Sequence, residues 1–356
     1  MRIKGVNRLS VSGALIEKVM SQKIFIIIFL VCATGVFQDV NAQVRRSDRS
    51  AVTYEELYDD PYAINTLFIH FQPLYTELFV ANLNAGFGLQ VEYHYKNKLE
   101  FRAHARKPYA RATDFSRENA SKNSNIQNKA AIYNYYELGA TYHVKDWEDE
   151  SQSKVILYSN RYKGVKWAAN VPEHIIIPTK VRKIYGVRLG GLMYDTSTDL
   201  NRVMEKQEVT LPEIGNEEVS ISGDANVYGN LDAKAIYLGG SMSWIKNFAI
   251  KPDKSYGTLG NDLMFTTYLD FIFAPVVSVD DIFYEDAIFS SKNIKTNKFG
   301  FRAGMDGKFN REWGWAYGGE IGFRPGIKTR GFYATIKISF PVFSTSLDHS
   351  KEAFSK

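Results

Sequence analysis

From residue 83 to residue 106, apolar and polar side chains alternate on both sides of a Lys96-Asn97-Lys98 break. Ala85, Phe87, Leu89, Val91, Tyr93 and Tyr95 share one face, against Asn84, Gln90, Glu92 and His94. Beyond the break Leu99, Phe101, Ala103 and Ala105 oppose Glu100, Arg102, His104 and Arg106. Side chains two residues apart lie on one face of a strand, so this stretch predicts a hairpin with one apolar and one charged surface. The same period recurs along the chain. Residues 64–71 predict a first strand. Residues 132–144 set Tyr136, Leu138 and Tyr142 against Tyr135, Glu137, Thr141 and His143, and residues 180–194 set Tyr185, Val187, Leu189 and Met193 against Arg182 and Arg188. Ile236, Leu238, Met242 and Trp244 share a face, and Leu263, Phe265, Leu269 and Phe271 oppose Thr266, Tyr268 and Asp270. Toward the C-terminus Phe299, Phe301 and Met305 oppose Arg302, Asp306 and Lys308. Trp315, Tyr317, Ile321 and Phe323 oppose Glu320 and Arg324, and Phe332, Ile336 and Ile338 oppose Thr335, Lys337 and Ser339. No amphipathic helix of more than two turns interrupts the series. The chain reads as all-β.

Strands of this kind serve two architectures. In a soluble sandwich the apolar face turns inward; in a transmembrane barrel it meets lipid and the polar face lines the interior. Three features select the second. The apolar faces are rich in aromatics, as at a lipid boundary. The polar faces mix glycine with charges of both signs. Brief connections (96–98, 310–312) contrast with long polar ones (107–130, 195–231, 275–297). The expected fold is a transmembrane, antiparallel, up-and-down β-barrel over residues 61–343. Ten or eleven strands read directly, and 153–180 holds one or two; because single-chain bacterial barrels have even numbers, about twelve are expected, within a range of ten to fourteen.

Composition supports this picture. Hydrophobic residues make up 45% and aromatics 14%, with 22 Tyr and 23 Phe, yet mean hydropathy is −0.27, too low for a helical membrane bundle. The net charge of +5 is dispersed and forms no basic run, so nucleic acid is not an expected partner. Residues 20–43 carry Lys23, an apolar core from Ile24 to Val36, and a small-residue site at Val40-Asn41-Ala42, the pattern of a cleaved secretory signal. The core is too short for a helical span of about 20 residues. The expected division is a signal region 1–42 with its true start at Met20, a polar N-terminal segment 43–60, the barrel, and a polar tail 344–356. The only cysteine, Cys32, lies in the signal region, so the mature chain holds no disulfide and no thiol nucleophile.

Candidate chemistry is sparse. No histidine stands in a nucleophile motif or makes a metal-spaced pair. The acidic runs 146–150 and 279–286 lack the spacing and glycine of a calcium loop. No catalytic residue, cofactor or metal ligand is expected. What remains is a set of candidate lumen residues: Glu92, His94, Glu100, Arg102, His104, Arg106, Glu137, Arg188, Asp270, Arg302, Glu320 and Lys337. Their balanced signs predict ion pairing that plugs the interior, in place of a single-sign filter.

The signal region ending Asn41-Ala42-Gln43, the Tyr-Gly-x-Arg-x-Gly-Gly strand at 185–191, and the closing segment GEIGFRPGIKTRGFYATIKISFPVF (319–343) resemble outer-membrane β-barrels of Bacteroidetes-type bacteria. The resemblance implies a Gram-negative outer membrane. The tail STSLDHSKEAFSK departs from it, because such barrels end at or near their last aromatic strand. The leading expectation is a non-enzymatic barrel that contacts outer-membrane lipid and serves as scaffold or accessory subunit of an envelope assembly for secretion, gliding or surface lipoproteins. The alternative is a channel for small solutes, and the third is a rim hydrolase acting on lipid or peptide.

Overall fold

The computed structural model describes residues 52–79, 82–123, 125–158, 172–222, 226–253, 257–311, 314–345 and 347. The signal region and most of the tail lie outside them. Among the described residues ten antiparallel strands close one barrel in chain order: β1 (Leu67–Phe79), β2 (Asn82–Tyr95), β3 (Leu99–Pro108), β4 (Asn134–Ile156), β5 (His174–Asp199), β6 (Tyr228–Ile245), β7 (Leu263–Val279), β8 (Phe299–Phe309), β9 (Ala316–Phe323) and β10 (Phe332–Ser344). β10 pairs with β1 to complete the ring. Every strand has two neighbours, so no edge is left open in the wall.

Ten strands, not twelve, form this ring. The described parts of 153–180 add none to it; instead β4 and β5 are unusually long and run past their neighbours. β3 begins at Leu99 opposite Tyr142, and β6 ends at Ile245 opposite Arg182. Beyond these points 149–156 and 174–181 continue as a two-stranded ribbon. The ribbon packs through Val155 and Ile177 on Phe248 and Ile250, part of a three-stranded sheet of Tyr54–Asp59, Phe248–Pro252 and Leu259–Asn261. A small β-sandwich therefore hangs from the rim at which β1 begins and β10 ends, called here the near rim. The first strand also differs from expectation, running from Leu67 to Phe79. Pro73 offers no N–H to the ladder and coincides with a register shift between Gln72 and Tyr75, but the strand continues past it.

Local chemistry sets the turns. Lys96 (φ 48°) and Asn97 (φ 57°) are both left-handed, and Lys98 N–H donates to the Tyr95 carbonyl at 3.1 Å, the tight turn whose twist matches a hairpin. Long connections gather mostly at the far rim, although two of the near-rim connections, 157–173 and 246–262, are also long. At the far rim they fold into a cap. It holds helix α1 (Phe115–Lys122), helix α2 (Asn201–Gln207) and a four-stranded sheet of Leu211–Glu213, Asn216–Ile221, Ile282–Tyr284 and Ala287–Phe289. Asp114 anchors α1, accepting from Arg117 N–H at its first turn, from Asn82 Nδ2 at 2.7 Å and from Tyr133 N–H.

The packing is inverted relative to a soluble protein. Leu138, Leu189, Phe271, Phe299 and Ile336 project outward and are 61–71% exposed, whereas charged side chains are buried inside. Aromatic clusters border the apolar exterior: Tyr93 with Tyr95, Trp147 with Tyr185, Trp244 with Phe265, and Trp315 with Tyr317 on the near-rim side; Phe273 with Phe299 and Phe323 with Phe332 on the other. Along β7 the outward run from Leu263 to Phe273 spans ten steps of roughly 3.4 Å. Tilted by about 40°, that is about 25 Å of height, the depth of a bilayer-facing band.

Candidate functional site: the barrel interior

Because strand side chains alternate, every second residue of ten strands points into one small lumen, and its content follows from the polar face of each strand. All twelve candidate residues are buried there: Glu92, His94, Glu100, Arg102, His104, Arg106, Glu137, Arg188, Asp270, Arg302, Glu320 and Lys337. The structure adds Glu77, Asp306, Lys308 and Arg324. Together they give seven cations (Arg102, Arg106, Arg188, Arg302, Lys308, Arg324, Lys337) and seven carboxylates (Glu77, Glu92, Glu100, Glu137, Asp270, Asp306, Glu320), ion-paired in three clusters.

The geometry of the pairs matters more than their number. In a ring of ten, β3 and β8 are five places apart and face each other across the full diameter. Arg102 on β3 reaches Asp306 on β8 at 2.8 Å, and also Glu92 at 3.2 Å and Glu100 at 3.4 Å. Lys308 on β8 pairs with Glu92 on β2. Toward the middle Arg302 on β8 reaches Glu137 on β4 at 2.6 Å and Asp270 at 2.7 Å, while Arg188 meets Asp270 at 3.0 Å. Nearer the far rim Arg106 joins Glu77 and Glu320, and Arg324 meets Glu77 at 2.8 Å. The Arg102–Asp306 pair spans the full diameter of the lumen, and the others join strands four places apart or fewer. A cavity of about 30 Å³ lies beside Glu92, His94 and Lys308, room for a water or two.

Tyrosines form the second half of the filling. Arg188 lies over Tyr268 at 4.1 Å, Arg302 over Tyr237 at 4.4 Å, and Arg324 over Tyr333 at 3.8 Å, so the guanidinium faces not used by carboxylates rest on aromatic ones. These rings fit because the residue paired with each on the neighbouring strand lacks a side chain: a Cβ on Gly304 would overlap the Tyr268 ring, and one on Gly190 the Tyr237 ring. His104 sits 3.0 Å from Gln72 and accepts from Arg106 Nε at 3.2 Å. Among the described residues no three His, Cys, Asp or Glu side chains come together to hold a metal ion. The acidic run 146–150 is spent on β5, with Asp146 on Arg182 at 2.6 Å and Asp149 on Lys183 at 2.6 Å.

Both ends of the lumen are closed by apolar matter. At the far rim Tyr75, Phe79, Tyr133, Tyr194, Leu200, Val203, Met204, Leu231 and Ile282 pack into one core under the cap. At the near rim the segment 60–66 crosses the mouth as a strap and inserts Ile64 among Phe68, Ile184, Ile245 and Met264. Three asparagines hold the strap. Asn247 donates to the carbonyls of Asp60 and Ala63, Asn310 Oδ1 accepts from Asn65 N–H at 2.8 Å, and Asn65 Nδ2 donates to the Asn310 carbonyl at 2.9 Å. Beside it, outside the barrel strands, burial pushes the Asp262 carboxyl up to about 6, although Arg311 lies 3.6 Å away.

Part of this network was open to sequence reasoning and part was not. Asp306, Lys308 and Arg324 stand on polar faces already visible in the alternation, at period two from Arg302 and Glu320. Glu77 lies beyond Pro73, where the first strand is expected to have ended. The interior tyrosines give the least signal, since Tyr also lines the exterior.

No family model matches the chain, and no curated protein does. Solved structures do match. The TodX deltaS2S3 mutant monoaromatic hydrocarbon channel is 12% identical, with 79% of this chain and 92% of that one covered and a TM-score of 0.20. The Ralstonia pickettii toluene transporter TbuX is 9% identical, with coverages of 79% and 90% and a TM-score of 0.20, and the CymD monoaromatic hydrocarbon channel is 9% identical, with 78% and 88% and a TM-score of 0.19. Likeness at this level carries no function across.

Proposed function

We propose that this chain is a non-enzymatic β-barrel of a Gram-negative outer membrane, closed along its axis, that serves as an anchoring or accessory subunit of an envelope assembly. The apolar exterior and its aromatic borders support the membrane placement. The observation that carries the closed reading is the pairing of diametrically opposed strands through Arg102 and Asp306. The near-rim sandwich offers a partner surface on the side where both described chain ends emerge. Vesicle flotation tests the placement: the purified barrel is expected to float with lipid and to shift on a gel only after heating. Copurification from gently solubilised membrane is expected to bring down a stoichiometric partner.

A second reading is a channel for small solutes, the role that the names of the similar solved structures give to those proteins. Its support here is that the near-rim closure is a strap held by side-chain hydrogen bonds, and so removable in principle. Planar-bilayer recording separates the two. Silence of the intact barrel at all voltages supports the closed reading, and steady conductance that changes when Arg102 becomes Glu overturns it.

A further inference from the structure

The near-rim ribbon has an open edge. His143 N–H on β4 donates to the Lys98 carbonyl at 2.9 Å, and past the register shift that follows, no strand flanks β4 on that side among the described residues. Which groups are left over is set by the pairing. Leu157 N–H donates to the Glu173 carbonyl at 2.9 Å, so in this register the odd residues from Lys145 to Val155 bond across to β5. The N–H and C=O groups of Asp146, Glu148, Glu150, Gln152, Lys154 and Ile156 point the other way, and none of them bonds to a described residue. Ten steps of about 3.4 Å make this row roughly 34 Å long, a template for one more strand.

Charge along the row is uneven. Asp146 and Asp149 lie on Arg182 and Lys183, and Glu148 on Lys180, all within the ribbon. Among the described residues the Glu150 carboxylate has no cation, although Lys180 stands opposite it in the ladder, and Lys154 has no carboxylate. Ile156, at the end of the row, is 61% exposed. Charged edges turn away chance strands, whereas a strand with the opposite charge at each of these two places is held by both. Another copy of this chain does not supply it. In one membrane every copy runs β4 away from the same face, so two copies meet in parallel with Glu150 level with Glu150. The near rim, where both described chain ends emerge, is the periplasmic one in the proposed setting. We propose that residues 146–156 receive an extended segment of a periplasmic partner as an added antiparallel strand, with a cation opposite Glu150, a carboxylate opposite Lys154 and an apolar side chain opposite Ile156. The proposal rests on the envelope-assembly reading given above.

The test uses the full barrel in mild detergent and a fluorescent peptide, ITETTTKTK, written to run antiparallel from Ile156 to Glu148, with binding read by anisotropy. Saturable binding is expected. N-methylation of the peptide amides that face the edge is expected to abolish it, and methylation of the alternate set to leave it intact. Gln152→Pro deletes one N–H on the open side and none on the β5 side, so the heat-shifted gel band should persist while peptide affinity falls about ten-fold, the scale of one hydrogen bond. Glu150→Lys with Lys154→Glu is expected to prefer the peptide in which the facing glutamate and lysine are exchanged. Absence of binding, or binding indifferent to methylation and to Gln152→Pro, overturns the added strand. Wild-type dimers that Gln152→Pro dissolves overturn the choice of occupant in favour of a second copy. A partner that copurifies equally with wild type and with Gln152→Pro sits elsewhere and overturns the assignment of this edge. Copurification of nothing stoichiometric, with peptide binding intact, instead overturns the envelope-assembly reading itself.

Discussion

Arg102 and Ala103 are consecutive residues in different surroundings. Arg102 is buried between Glu92, Glu100 and Asp306, and Ala103 stands on the outer wall. Removing one member of a buried pair leaves its partner charged in a poor medium, so Arg102→Ala is expected to cost roughly 3–5 kcal/mol in urea unfolding. Ala103→Arg is expected to cost about 2–4 kcal/mol in a bilayer, while Ala103→Leu leaves the midpoint unchanged; a disruptive leucine would mean that Ala103 faces a protein core. Asp262 behaves differently. Its folded carboxyl titrates near 6, above its ordinary value, so the folded state holds a proton that the unfolded chain has released. Stability therefore falls as pH rises from about 4 to about 6 and stays lower above. Asp262→Asn is expected to flatten that slope and to raise the urea midpoint at neutral pH. The lumen charges were legible in the sequence because alternation assigns a face; which charge meets which was not, because partners such as Arg102 and Asp306 lie 204 residues apart.

Among the elements, the strap at 60–66 shows how a segment with no regular structure can be fixed. It buries one isoleucine and satisfies its backbone through Asn65, Asn247 and Asn310. Asn310→Ala removes an acceptor for Asn65 N–H and a donor to the Ala63 carbonyl. The expected loss is about 1–3 kcal/mol of local stability, read as faster chymotryptic cleavage after Tyr62 with the barrel band intact on a heat-shift gel. Cleavage no faster than wild type would show that Ile64 alone holds the strap. None of this was visible in the sequence, where Ile64 to Thr66 read as the start of the first strand instead of a strap across the mouth. The strands were legible wherever both faces kept their character. β1 was cut short at Pro73, and the ends of β4 and β5 were ambiguous because their outer portions leave the barrel for the sandwich, where the inside–outside code no longer applies. The shift between His143 and Lys145 marks that change of context.

For the whole molecule, the barrel class followed from a repeated period, and the strand count did not, since closure depends on where long strands stop pairing. One prediction belongs at this scale. Buried pairs are screened little by salt, so raising ionic strength is expected to leave the bilayer recording silent; conductance appearing with salt would show that the network is solvated and loose. The pairing across the lumen also bears on how the wall can be made. Strands β1 to β5 supply Arg102, Arg106 and Arg188 against Glu77, Glu92, Glu100 and Glu137. The region from β6 onward supplies Arg302, Lys308, Arg324 and Lys337 against Asp270, Asp306 and Glu320. Neither half can settle its own charges, because Arg102, Arg106 and Arg302 each reach across to a carboxylate of the other. A half-built sheet exposed to hydrocarbon would present these charges bare, at several kcal/mol apiece. In the proposed membrane setting this disfavours insertion hairpin by hairpin and favours joining the two halves in a sheltered place before the ring meets lipid.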